Sequence, residues 1–270
     1  VHTSGSTGTP KPMQVEKKRM IASAHLTCSF LGLKEGDKAL LCMPLGYIAG
    51  KMVVVRSLVA GLELIPIAPC GHPLSGMKES PTFAAMIPMQ VYNSLQVPEE
   101  RTVLEGIKHL IIGGGAIDDG LANELKHFPN NVWSTYGMTE TLSHIALRRL
   151  NGDNASDWYT PSDQVHIRLS EEGTLVIHAP EVCAEELTTN DIAEINEKGE
   201  FRILGRKDNV INSGGIKIQR EQVEALLKPH LSTPFLITST SDAKFGEAVV
   251  LLYEKGNEEE LQALCKAALP

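Results

Sequence analysis

Apolar and polar positions alternate between two periods along the first 112 residues. Between 15 and 31, Met20, Ile21, Ala24 and Leu31 recur among basic and polar residues as on one face of a helix, which Gly32 and Gly36 close. Ala39-Leu-Leu-Cys-Met43 and Leu62-Glu-Leu-Ile-Pro-Ile67 are short apolar runs flanking a helix-length apolar segment over 52–60. The order strand, helix, strand then repeats. Phe83-Ala-Ala-Met-Ile87 precedes a helical stretch through Tyr92 and Leu95, and His109-Leu-Ile-Ile112 ends in three glycines. Alternation of this kind predicts an α/β fold, a large N-terminal domain of parallel sheets covered by helices.

From Val165 the texture changes. Segments 165–169, 173–178, 193–195 and 199–204 are short alternating strands separated by turns, predicting an antiparallel, barrel-like subdomain. Residues 206–217 are polar and glycine-rich and are read as a linker. A helix over 220–227, strands over 233–241 and 248–253 and a helix over 258–268 follow, a small α+β unit without an obvious closing element. No internal repeat or low-complexity tract is present.

A chain of 270 residues suits two folded units, here 1–207 and 208–270. Val1-His2 runs straight into a glycine-rich loop as though a strand had been cut, so a fragment is expected. The formal charge of -8 argues against a broad nucleic-acid surface, while leaving room for a small anionic ligand. No apolar run is long enough to span a bilayer, and cytosol is the default compartment. Five cysteines without a C-x-x-C spacing read as buried or shielded thiols in a reducing compartment.

Five segments carry candidate chemistry. Thr3-Ser-Gly-Ser-Thr-Gly-Thr-Pro-Lys11 combines backbone N–H groups freed by glycine, hydroxyl donors and a lysine, the means of holding phosphates. Taken alone it leaves a plain Ser/Gly turn open, and Pro10 and Pro12 around Lys11 separate it from the nucleotide loop G-x-x-x-x-G-K-[ST]. Gly113-Gly-Gly-Ala116 after a strand lets a flat base approach the backbone. In Ser134-Thr-Tyr-Gly-Met-Thr-Glu-Thr141, Tyr136 offers a flat face, Thr139 a hydroxyl and Glu140 a hard oxygen ligand for Mg²⁺. Thr188-Thr-Asn-Asp191 and Gly205-Arg-Lys-Asp208 add acceptors and a cation.

Together these strings, in this order, resemble the adenylate-forming superfamily of acyl-CoA synthetases, luciferases and peptide-synthetase adenylation domains. The resemblance implies an acid–thiol ligase that uses ATP, Mg²⁺ and CoA. Thr3, Ser4, Gly5, Ser6, Thr7, Gly8 and Lys11 would hold the phosphates, Gly114, Gly115 and Ala116 would lie along adenine, Tyr136 would stack on it, and Gly137 would belong to the same nucleotide site. Thr139 would meet the α-phosphate, Glu140 would bind the metal, Asp191 would accept from the ribose hydroxyls, and Arg206 would reach ribose or phosphate. Asp208 would be the pivot of a mobile lid, with Lys217 near the thiolation site. Asn190 departs from the glycine usual before the aspartate. The family's adenylation lysine, in a Gly-Lys motif late in the lid, has no counterpart before Pro270, and the lid is read as truncated.

For the acyl group, Pro44-Leu-Gly-Tyr-Ile-Ala-Gly50 stands where many members carry Pro-Leu-Phe-His-x-x-Gly, with Tyr47 in place of the histidine. Arg56 sits on an otherwise apolar helix, where a guanidinium needs an anion or a route to water. Arg56, the Ser143-His144 pair and the short motif spacing are similar to bacterial o-succinylbenzoate-CoA ligases of menaquinone biosynthesis. That likeness implies a carboxylate substrate with a second carboxylate, contacted by Tyr47, Arg56 and His144. Another small aryl- or acyl-CoA ligase and a noncatalytic nucleotide-binding module are the alternatives. A homo-oligomer is compatible with either.

Overall fold

The structure, a computed structural model, describes residues 13–231 and 233–269. The chain divides into two compact units, one of residues 1–167, 177–187 and 197–200, the other of 168–176, 188–196 and 201–270. The first unit opens with α1 (Lys17–Leu31), β1 (Lys38–Leu41), α2 (Ile48–Ala60), β2 (Glu63–Pro66) and β3 (Phe83–Met86). It continues through α3 (Pro88–Leu95), α4 (Pro98–Gly106), β4 (His109–Ile112), α5 (Asp119–Leu125), β5 (Asn131–Gly137), β6 (His144–Arg149) and the two-residue β7 (Thr160–Pro161).

These strands form one seven-stranded sheet in the order β2-β1-β3-β4-β5-β6-β7. β1 to β5 run parallel, and β6 and β7 add an antiparallel edge. Side chains alternate across a strand, so each strand feeds two cores. Leu40, Ala84, Leu110, Ile112 and Val132 face Val91, Leu95, Leu104 and Leu125 of the helices on one side. Ala39, Phe83 and Ile111 face Cys28 and Leu31 of α1 on the other. A sheet covered on both faces needs strands apolar at every position, and His109-Leu-Ile-Ile112 is buried throughout. The fold class read from the sequence is the one observed.

Beyond Val165 lie β8 (His166–Leu169), β9 (Thr174–His178), β10 (Leu187–Ile195) and β11 (Phe201–Arg206), ordered β11-β10-β9-β8. The linker reading of 206–217 is corrected. β12 (Val210–Ser213) and β13 (Ile216–Gln219) form an antiparallel hairpin there. Gly214 and Gly215 both carry positive φ, 59° and 86°, the backbone that a two-residue turn of right-twisting strands requires. α6 (Arg220–Leu227), β14 (Phe235–Asp242), β15 (Gly246–Tyr253) and α7 (Glu258–Ala268) complete the second unit, whose sheet runs β13-β12-β15-β14. Ile211, Val223, Leu227 and Ile237 form its buried core. Among the described residues no helix is long and apolar enough to cross a membrane. Cys28 and Cys42 are buried as expected, whereas Cys70 is exposed.

Candidate active site

In the first unit, the ends of β3, β4 and β5 and the start of α2 surround a cavity of about 270 Å³. Ligands in open α/β sheets bind outside the carboxyl ends of the strands, which is where this cavity opens. Six residues singled out from the sequence line it: Tyr47, Arg56, Gly114, Gly137, Thr139 and His144. Met43, Met86, Ile111 and Leu142 supply apolar wall. The volume lies just below the roughly 300–1,000 Å³ of drug-sized pockets, so it fits a small molecule. Gly115, Ala116 and Glu140 are exposed beside it in the chain, and Tyr136 is half-buried. Tyr136 packs 5.9 Å from the Tyr159 ring.

The turn from β5 to β6 carries the most specific motif, and its own side chains hold it. Thr141, which the sequence reading passed over, is fully buried. Its Oγ1 accepts from the Met138 N–H at 3.1 Å and lies 2.7 Å from the Ser143 carbonyl, to which it donates. Leu142 takes the left-handed backbone at φ 65°, an uncommon place for a branched residue. Gly137 is obligatory for a different reason. A Cβ there would stand 2.3 Å from the Ser143 carbonyl oxygen and 2.5 Å from His144 Cα.

Arg56 is 2% exposed on α2. Its Nη2 donates to Ser143 Oγ at 2.6 Å, while Nε has no hydrogen-bond partner among the described residues. Burial pulls the guanidinium down to about 10, which leaves it charged at neutral pH. His144 is also buried, with Nε2 3.1 Å from Thr27 Oγ1 and Nδ1 3.4 Å from Ser143 Oγ. Burial, then the Arg56 charge, holds it well below the usual 6.5 and therefore neutral. Thr27 and Ser143 were not singled out as site residues. Thr27 is a buried hydroxyl within a helix, which gives no sequence signal, whereas Ser143 adjoins the motif.

Asp191, Arg206, Asp208 and Lys217 fall in the second unit. Asp191 and Arg206 face each other across β10 and β11, with Nη1 3.4 Å from Oδ1. Arg206 Nη2 also donates to Asp208 Oδ2 at 2.8 Å, and Asn190 Nδ2 reaches both Asp208 oxygens at 3.2 Å. Arg206 and Asn190 hold the Asp208 carboxyl below its usual value. Lys217 is exposed on β13. The loop of Thr3, Ser4, Gly5, Ser6, Thr7, Gly8 and Lys11 lies outside the described residues. No group of three or more His, Cys, Asp or Glu that could hold a metal occurs among the described residues. Glu140 alone fits a Mg²⁺ that keeps waters and shares substrate phosphates, the usual manner of that ion.

The family model for AMP-binding enzymes matches residues 1–186. The chain belongs to the AMP-binding enzyme family. Within that family it is 28% identical over 272 residues to a 2-succinylbenzoate–CoA ligase of Salmonella typhimurium, covering 95% of this chain and 58% of that one. It is 26% identical over 304 residues to the ligase of the same name from Bacillus cereus, covering 100% and 63%. The chain thus spans under two thirds of the length of these curated relatives.

Among solved structures, an AMP-forming acyl-CoA synthetase/AMP-acid ligase II-like protein from Dyadobacter fermentans is 36% identical with a TM-score of 0.73. That match covers 99% of this chain and 78% of the other. The o-succinylbenzoate coenzyme A synthetase of Bacillus subtilis, in complex with ATP and magnesium ion, superposes with a TM-score of 0.77 at 22% identity, a likeness of fold. It covers all of this chain and 63% of its own.

Proposed function

We propose that this AMP-binding enzyme activates a small dicarboxylic acid, 2-succinylbenzoate, with ATP and passes the acyl group to CoA. The observation that carries the substrate choice is Arg56, a buried guanidinium on the cavity wall whose partner is a hydroxyl and whose Nε is unpaired among the described residues. An unpaired buried charge costs several kcal/mol, roughly 3–5 when one partner of a pair is removed, so the site is built for an anion to complete it. An arginine fork suits a carboxylate. The acid's other carboxylate is the one that reacts.

In the first half-reaction that carboxylate attacks the α-phosphorus of ATP, giving acyl-AMP and pyrophosphate. In the second, the CoA thiol attacks the acyl carbon and AMP leaves. Catalysis of this kind is positioning and charge neutralisation. Thr139, buried at the cavity, donates to the α-phosphate, and Gly114 to Ala116 with Tyr136 bracket the adenine. Thr3 to Gly8 and Lys11 hold the phosphate chain. Glu140 would hold Mg²⁺, whose charge would offset the charge moving onto pyrophosphate. Asp191 and Arg206 serve the ribose and phosphate, and residues 208–270 act as a lid pivoting at Asp208, with Lys217 at the thiolation step.

Pyrophosphate release with 2-succinylbenzoate, benzoate and a fatty acid tests the substrate. Selective turnover of the dicarboxylate supports the reading. Equal turnover of benzoate transfers the enzyme to the other aryl-CoA ligases, and no acid-dependent release with any substrate favours a nucleotide-binding module.

A further inference from the structure

Only one direction lets every hydrogen bond around Arg56 form at once with a neutral imidazole. An arginine can only donate, so Ser143 Oγ accepts from Arg56 Nη2 at 2.6 Å. At the far end a carbonyl can only accept, so Thr27 Oγ1 donates to Ser23 O at 3.3 Å. Between them, Thr27 Oγ1 is left to accept from His144 Nε2 at 3.1 Å, which puts the ring proton on Nε2. His144 Nδ1 is then an acceptor of the Ser143 hydroxyl hydrogen, 3.4 Å from Ser143 Oγ, the longest link. A cationic ring would place a proton on Nδ1 against Ser143 and a second charge beside Arg56. Burial and Arg56 both disfavour it.

We infer that Thr27 and His144 are positioning residues: with His144 as the neutral Nε2–H tautomer, the relay Arg56→Ser143→His144→Thr27→Ser23 fixes the guanidinium for the second carboxylate of the acid. His144 thus acts on the substrate through Arg56 and Ser143, although it lines the cavity. The relay joins α1, α2 and the β5–β6 turn, so the specificity arginine is oriented by a helix that contributes none of the lining residues. Its effect on binding rests on the dicarboxylate reading, while its geometry does not.

Thr27→Val removes the hydroxyl at nearly constant volume, and Thr27→Ser keeps it. Calorimetric titration with 2-succinylbenzoate is expected to show about tenfold weaker binding in the valine variant, recovery in the serine variant, and AMP affinity within about twofold throughout. ¹⁵N spectra of the imidazole should give the Nε2–H tautomer in the parent, with that preference lost in Thr27→Val. Unchanged 2-succinylbenzoate affinity in Thr27→Val, equal losses for AMP and acid, or an Nδ1–H or cationic ring in the parent would each overturn the relay. Arg56→Leu separates the two ideas. If it leaves 2-succinylbenzoate binding unchanged, the dicarboxylate reading fails, and the tautomer still decides the relay.

Discussion

At Arg56 the sequence left two outcomes open, an anion or a route to water, and 2% exposure removes the second. Arg56→Leu is therefore expected to raise KM for 2-succinylbenzoate by about 10- to 100-fold, the worth of a charge-assisted bond pair, and to change KM for benzoate little. Thermal stability should hold or rise, because an apolar replacement removes an uncompensated buried charge. Equal KM changes for both acids would dismiss the specificity role. Glu140, exposed and lone, has a narrower task. Glu140→Gln should raise the Mg²⁺ concentration needed for half-maximal pyrophosphate release and leave the melting temperature alone, and an unaltered Mg²⁺ dependence would remove it as a ligand. Arg56 was legible because a charge interrupting an apolar helix stands out. Thr27 was not, since its contact with His144 spans 117 positions and nothing local announces it.

Elements were legible where burial imposed a period. The helix at 258–268 and the strand at 109–112 were placed to the residue, since one must be amphipathic and the other is buried throughout. The 206–217 segment was misread because its hairpin sits largely exposed, with Ile211 and Gln219 as its buried residues. The positive-φ glycine pair between Ser213 and Ile216 was the available signal. The β5–β6 turn shows how a motif and an element coincide. Gly137 is required by the backbone that crosses it, so Gly137→Ala must push the Ser143 carbonyl away. A destabilisation of roughly 1–3 kcal/mol is expected from overpacking, together with weakened binding of the acid, since Ser143 carries Arg56. Denaturant titration beside the binding measurement checks both, and a variant with parental stability and affinity would contradict the assigned contact.

At the scale of the molecule, the hydrophobic pattern and the motifs set the class, and the sheet order set the site. Strand adjacency such as β1 between β2 and β3 has no local signature, so only the general place of the cavity, at strand ends followed by glycines, was foreseeable. Acid stability follows from what that sheet encloses. His109 begins β4 at 8% exposure with neither ring nitrogen hydrogen-bonded among the described residues, and burial, then Lys108, lowers its affinity for protons. His144 is lowered too. Both belong to the first unit.

A histidine depressed in the folded state is neutral there and protonated in the unfolded chain, so its contribution is complete above the ordinary histidine value of 6.5 and is lost as pH falls below it. The loss proceeds at up to roughly 1.4 kcal/mol per pH unit per group until the folded value is reached. Carboxylates of the second unit such as Asp208, Glu221 and Glu247 are depressed below 3.8 or 4.5, so their contribution is lost only in that lower range. Denaturant titrations between pH 7.5 and about 5 should thus show stability falling first through the histidines. His109→Leu removes one titrating group and two unpaired nitrogens while keeping an apolar filling, so it should reduce the slope below pH 6.5 and raise stability most at the acid end. Parallel pH profiles for parent and variant would mean that His109 is protonated as readily folded as unfolded, and that the sheet admits water at its β4 end.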